Sequence, residues 1–434
     1  MTTRLHGGLP QLAVGMCLLL SLAGCGGAPT GTRALAGPPQ QALAARNAQS
    51  AAIDASVGRV TRRSASHDNS FRMYLDGPDS YGELFEMIRG AKRSIWISSF
   101  EYHADVHGLA MTTLLGAKAR AGVEVKLLVD KVGGNLEKGT QDYLRLVREA
   151  GGEAREYPTQ WVNGFVGIDH RKLFIVDGTV AMTGGMNIGD MYYEDFHDTL
   201  GTVRGGAVRD MAREFFRDWK RAGGQAPASL PDAVRDGDTS IRVLTTSGPE
   251  GRTEIFDGLA AAIGAAKDHI NVAVPYFSDD DLVEVLEDAA AEGVKVRLLL
   301  PDIETYSRVD VGILFNYLNP ASARKLLAAG AEVWFYRGKK LHLKVFEIDD
   351  AWVCYGSANG DTMSFLRNQE LSLAIADPAV AQDVRKRLFE ADLALSRRVT
   401  EKDLQLRPAA QAFSSALDAL SYYFGVKPGS SVYR

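Results

Sequence analysis

Two strings of ten residues, DHRKLFIVDG at 169–178 and LHLKVFEIDD at 341–350, place the same three side chains at the same spacing. His170, Lys172 and Asp177 form one H-x-K-x-x-x-x-D set, and His342, Lys344 and Asp349 form the other. The register continues without a gap. Fourteen residues beyond each histidine stand Gly184 and Gly356, fifteen beyond stand Gly185 and Ser357, seventeen beyond stand Asn187 and Asn359, and twenty-eight beyond stand Asp198 and Glu370. The upstream segments repeat as well. A helical pattern, YGELFEMIRGAKRS, precedes the apolar run IWISSFEY, and TEIFDGLAAAIGAAKDH precedes INVAVPYF. A second helix and strand follow in both copies, so that AGVEVKLLVD answers EGVKVRLLLP. Helices that alternate with continuously apolar strands specify an α/β fold with sheets buried on both faces. The repeat therefore predicts one unit over 70–222 and a second over 239–403. The Gly/Pro/Asp-rich stretch 223–238 joins them, and a tail over 404–434 follows.

The spacing has a chemical reading. Alternation on a strand brings His and Lys to one face, where an imidazole and an ammonium can meet a single phosphate. Asn187 and Asn359 are placed to donate amide N–H groups to its oxygens. The Gly-Gly and Gly-Ser pairs, Ser357 included, would let backbone approach the ligand. Asp198 and Glu370 fit carboxylates that each accept a bond from the far ring nitrogen of the histidine in their own motif. Asp177 and Asp349 lie an odd number of residues from each lysine, which turns them off that face and toward a structural task.

These strings resemble the HKD motifs of the phospholipase D superfamily, over roughly residues 70–399. Within it, IVDGTVAMTGGMNIGD, LHLKVFEIDDAWVCYGSANGD and Pro275-Tyr276-Phe277 are most similar to cardiolipin synthases. The resemblance implies two tandem α/β/α sandwich domains related by a pseudo-twofold axis, with one active site at their interface. It counts His170, Lys172, Asp177, His342, Lys344 and Asp349 as the catalytic set and needs no cofactor and no metal. It also implies a phosphohistidine mechanism with a phospholipid substrate. By analogy His170 is the nucleophile and His342 the acid/base. Two departures bear on the acceptor: Met363 stands where cardiolipin synthases carry Arg, and N-terminal membrane helices are missing. A phospholipase D-type hydrolase, an envelope nuclease and a non-catalytic lipid-binding protein are the competing functions.

The N-terminus reads as a targeting segment. Leu12–Leu22 is apolar but shorter than the ~20 residues that span a bilayer, and it ends in Leu22-Ala23-Gly24-Cys25. That string resembles a bacterial lipobox, which implies a signal peptide over 1–24, lipidation at Cys25 and a lipid-anchored place in the bacterial cell envelope. Residues 25–69, rich in small and polar side chains, read as a flexible tether. Of the three cysteines only Cys354 belongs to the body, as a small buried residue. Net charge is −5, which speaks against a general attraction to nucleic acid. With both motifs in one chain, a monomer can be complete.

Four further features invite a role. His103 and His107 have metal-ligand spacing, with solvated loop histidines as the plainer reading. His197 adjoins Asp198. Trp161 and Phe165 could line a lipid entry channel. Phe413, Leu417, Leu420 and Phe424 form a helical stripe in the tail.

Overall fold

Seven strands of the first repeat and seven of the second occupy mirrored places in one sheet. In the computed structural model the first set is β1 (Ser66–Leu75), β2 (Ser94–Ser99), β3 (Glu124–Asp130), β4 (Glu153–Tyr157), β5 (Leu173–Val176), β6 (Val180–Gly184) and β7 (Thr199–Arg204). The second is β8 (Thr239–Ser247), β9 (His269–Ala273), β10 (Lys295–Pro301), β11 (Glu332–Tyr336), β12 (Val345–Ile348), β13 (Trp352–Gly356) and β14 (Gln369–Ala376). Their order is β4-β3-β2-β5-β6-β7-β1 followed by β8-β14-β13-β12-β9-β10-β11. The second sequence is the first read backwards, so a pseudo-twofold axis passes between β1 and β8. Those two strands pair antiparallel through Ser66–Ile241 and Asn69–Thr239, with a shift of register between the two pairs. Ser396–Arg398 and Arg252–Thr253 complete a 16-stranded sheet. The two halves therefore share one continuous sheet, and the described residues from Gln41 onward form one compact unit.

The structure describes residues 40–405 apart from 137, 163, 233 and 303–317, together with 416. The signal-like segment, Cys25 and the tail residues Phe413, Leu417, Leu420 and Phe424 lie outside the described residues.

Strand alternation sends side chains to two faces. Ile95 and Ile97 enter one core while Trp96 enters another, and Leu127 and Val129 diverge from Leu128 in the same way. The core with Trp96 runs across both halves, through Phe215 and Trp219 of the helix Ala207–Arg221 to Leu388 and Phe389 near the C-terminus. On the opposite face each half has its own core. Cys354 is buried in β13, as expected of a small apolar residue.

One expectation fails over part of its range. Residues 40–61 are not tether but the helix Gln40–Thr61, and 66–69 already belong to β1. Ile53 and Val57 are fully buried against Leu244 and Leu259, and Ser50 and Thr61 continue that face at the next turns. Two small polar residues in a four-position stripe hid the periodicity. Asp54 also receives the Arg242 guanidinium at 2.8 Å, and Gln49 Nε2 donates to Asp349 Oδ2 at 2.7 Å. The helix is thus fixed to the second half by packing and by polar contacts.

Candidate active site

Both H-x-K segments lie just before their strands, not within them, since β5 begins at Leu173 and β12 at Val345. β5 runs antiparallel to β2 with Leu173 opposite Ser98, which sets His170 at the C-terminal end of β2. What brings the halves together there is a pair of short backbone bridges. Asp169 pairs in parallel with Gln369, His170 N–H donates to Gln369 O at 3.0 Å, and Gln369 N–H donates to Ile168 O at 2.7 Å. The equivalent bridge pairs Leu341 with His197, and His342 N–H donates to His197 O at 2.9 Å. Each motif segment thus runs beside the residues that precede the other half's carboxylate.

The consequence is a crossed arrangement. His170 Nδ1 lies 3.0 Å from Glu370 Oε1, and His342 Nδ1 lies 2.6 Å from Asp198 Oδ2. The carboxylates do orient histidines, but each serves the histidine of the opposite motif, which corrects the pairing expected within motifs. A ring that gives its Nδ1–H to a carboxylate leaves Nε2 for chemistry.

Lys172 and Lys344 are buried, and each ammonium donates to the carbonyl of its own motif histidine at 2.6 Å. Burial pushes Lys172 down to about 8 and Lys344 down to about 7, against the pull of Glu370 on the first and Asp198 on the second. Burial also lowers His170, which Glu370 opposes. His342 falls well below its usual value, through burial and then through Lys344, Lys172 and His170. Those influences bring the two rings and two lysines into one electrostatic neighbourhood. Burial raises Asp198 to about 6 while Lys344 resists. Burial also works against ionised Glu370, yet His170 and Lys172 hold it below the usual carboxylate range. Dehydrated cations with depressed proton affinity make a site that gains by taking in an anion.

The remaining candidates separate. Asp177 accepts backbone N–H bonds from Arg93 at 2.7 Å and Ser94 at 2.9 Å, and Asp349 does the same for Asp268 at 2.8 Å and His269 at 2.9 Å. These two belong to strand-start capping, which removes them from the catalytic set, as their odd spacing implied. Ser357 Oγ donates to Glu370 Oε2 and accepts from Leu371 N–H at 3.1 Å, so it braces the carboxylate. The glycine before it packs against the neighbouring strand: a Cβ on Gly356 would stand 2.3 Å from Leu371 O. In the first motif a Cβ on Gly185 would stand 2.3 Å from Asp198 Oδ1. These small residues make room for the carboxylate strand, where backbone approach to a ligand was expected. Asn187 Nδ2 donates to Tyr192 Oη at 2.7 Å, which commits its amide to protein. Asn359 Oδ1 is buried without a hydrogen-bond partner.

His103 and His107 do not form a metal pair. His103 is buried with Nε2 2.9 Å from Glu101 Oε2, and His107 Nδ1 lies 2.6 Å from Asp190 Oδ1. Neither is a solvated loop histidine. His197 is more than a neighbour, since it bridges Asp76 at 2.7 Å and Asp392 at 3.0 Å. Trp161 is 71% exposed on the hairpin Gln160–Val162/Phe165–Gly167, so it lines no channel, and the side chain of Phe165 is outside the described set.

Sequence reasoning missed the aromatic and acidic companions of the site. The Phe100 ring meets His170 edge-on at 5.2 Å, and Phe196 stacks on His342 at 5.0 Å. Glu101 takes the Tyr192 hydroxyl at 2.7 Å. The break in alternation at Ser99-Phe100-Glu101, where the strand leaves the sheet, was the available signal.

The family model for cardiolipin synthase, PLD-like domain, matches twice, over residues 84–219 and 259–393. Cardiolipin synthase A of Pseudomonas fluorescens (strain SBW25) is 32% identical over 377 residues, covering 84% of this chain and 77% of that protein. The major cardiolipin synthase of Bacillus subtilis (strain 168) is 31% identical, over 79% of this chain and 73% of its own length. Among solved structures, phosphatidylserine synthase of Haemophilus influenzae Rd KW20 superposes with a TM-score of 0.64 at 14% identity, over 86% of this chain and 98% of that one, a likeness of fold. The doubled motif, the crossed histidine–carboxylate pairs and these relatives agree: the chain is an enzyme that belongs to the phospholipase D superfamily, in its cardiolipin synthase family.

Proposed function

We propose that this enzyme transfers a phosphatidyl group between phospholipids of the bacterial envelope, in the manner of a cardiolipin synthase, through a phosphohistidine. The observation that carries the reading is the pair of buried imidazoles, each fixed through Nδ1 by a carboxylate from the opposite half. His170 Nε2 attacks phosphorus and forms a P–N bond. The P–O bond to the departing alcohol breaks, and His342 gives that oxygen a proton. An incoming hydroxyl then loses its proton to His342, its oxygen bonds to phosphorus, and the P–N bond breaks. Lys172 and Lys344 neutralise the phosphate oxygens throughout. The arriving phosphodiester anion raises the proton affinity of His342, which readies it as the acid.

Membrane contact has its own support. β2, β3 and β4 are parallel, so the segments after them share one rim with the site. That rim exposes Val106 (71%), Leu136 (58%) and Trp161 (71%). Trp suits a membrane interface, and the aliphatic pair suits the acyl boundary. Lipidation of Cys25 would keep the enzyme beside its substrate. No helix among the described residues is long and apolar enough to cross a membrane.

The test is a product assay with phosphatidylglycerol vesicles, with and without glycerol, beside single-stranded DNA. Cardiolipin is the expected product. Phosphatidic acid alone would reassign the enzyme to hydrolysis, and nucleotide fragments would reassign it to nucleases.

A further inference from the structure

We propose that the Glu101 carboxylate binds a hydroxyl of the alcohol partner in this reaction, and that it selects polyols over simple alcohols. The inference rests on the phosphatidyl-transfer reading and names the group that would recognise the acceptor.

Glu101 is the second residue beyond β2, next to Phe100, whose ring faces His170 and lies 5.3 Å from Lys172 Nζ. Its side chain is 16% exposed. Among the described residues, both of its side-chain hydrogen bonds fall on Oε2, from His103 at 2.9 Å and from Tyr192 at 2.7 Å. Oε1 accepts neither of them. Tyr192 in turn presents its ring to His342 at 5.9 Å. One carboxylate thus connects to the surroundings of both catalytic rings, with an oxygen to spare. Burial works against its ionisation, yet His103 and then Tyr192 and Lys172 hold it as an anion.

The chemistry of a ligand for that oxygen is constrained. A phosphate is excluded, because it would meet like charge. An ammonium headgroup is disfavoured, because Lys172 and Lys340 already bear on the same carboxylate. A neutral hydroxyl can donate to Oε1 without either penalty, and a hydrogen bond to a buried charge is among the stronger ones. A second hydroxyl on the same molecule is then the one presented to phosphorus.

Symmetry supports the assignment. The bridges Tyr102–Ile188 and Phe277–Gly360 are equivalent in the two halves, since 188 and 360 differ by the same 172 residues as the two motif histidines. Glu101 therefore corresponds to Tyr276. Transfer needs a site that tells two alcohols apart, and here a twofold site carries a carboxylate on one side and a phenol on the other.

The test uses the full enzyme with phosphatidylglycerol and compares acceptors at equal concentration. Wild type is expected to form phosphatidyl-1,2-propanediol about tenfold faster than phosphatidyl-1-propanol, the scale of one charge-assisted hydrogen bond. Glu101→Gln is expected to reduce that ratio to below about threefold. Should Glu101→Gln yield too little product to score, Glu101→Asp, which withdraws the charge by one methylene, is scored by the same ratio. A wild type with no preference for the diol overturns the proposal, and so does an intact preference in the variant. Failure of wild type to release or transfer any headgroup would instead overturn the phosphatidyl-transfer reading beneath it.

Discussion

His342 and Asp198 lie 144 residues apart in sequence and 2.6 Å apart in space, and they come from opposite halves of the repeat. Glu370 and His170 make the reciprocal contact across 200 residues. Neither half can build a complete histidine–carboxylate unit alone. Asp198→Asn and Glu370→Gln should each lower kcat about 10²- to 10⁴-fold, the range expected when a catalytic imidazole loses its orienting acceptor. Circular dichroism should stay near wild type, because each amide is close in size to the group it replaces, while the melting temperature falls modestly as the buried donors around it lose a charged acceptor. Steady-state kinetics on the two variants checks this.

Gly185 and Ser357 occupy equivalent positions with opposite tolerances. Gly185→Ala drives a methyl into the Asp198 carboxylate and should lower kcat at least tenfold. Ser357→Gly removes two hydrogen bonds around Glu370 and should cost about 1–3 kcal/mol of stability with a smaller effect on rate. Parallel denaturant titrations and rate assays separate the two.

Asp177 predicts a different phenotype. Its side chain accepts bonds from the backbone at the start of β2, and its own backbone has φ of +54°. Asp177→Ala strands those N–H groups and keeps a Cβ in the left-handed region. Stability should fall by about 1–3 kcal/mol while kcat of the folded enzyme changes less than that of either carboxylate variant above. Urea unfolding with activity measured below the transition checks it.

His197 gives the fold a pH dependence. Burial opposes its charge, but Asp392 and Asp76 together raise it to about 9. His269 reaches about 9 as well, with burial outweighed by Glu347. A folded-state value above the unfolded one means that stabilisation is complete below about pH 6.5 and is lost as pH rises through 9. The melting temperature should therefore drop between pH 6.5 and 9. His197→Gln should flatten part of that slope and lower the plateau, since removing one partner of a buried ion pair is costly.

Much of this was legible in sequence because it was written twice. The motif register located both histidines, both lysines and both carboxylates, and the alternation of helices and apolar strands gave the α/β class. The crossing was not legible. It depends on the bridges Asp169–Gln369 and Leu341–His197, which pair segments far apart in the chain and carry no side-chain pattern of their own. The helix Gln40–Thr61 escaped because Ser50 and Thr61 complete its buried stripe with hydroxyls. Glu101 escaped because Tyr192, which fixes it together with the neighbouring His103, comes from the short helix Asp190–Glu194, 91 residues further along the chain.

The most direct test of a single site shared by the two halves is the turnover of phosphatidylglycerol by His170→Ala and His342→Ala, each assayed alone. Each should lose at least about 10³-fold in rate, since attack on phosphorus and protonation of the leaving oxygen belong to different rings. A single variant that keeps near wild-type turnover would contradict the account, because one imidazole would then suffice.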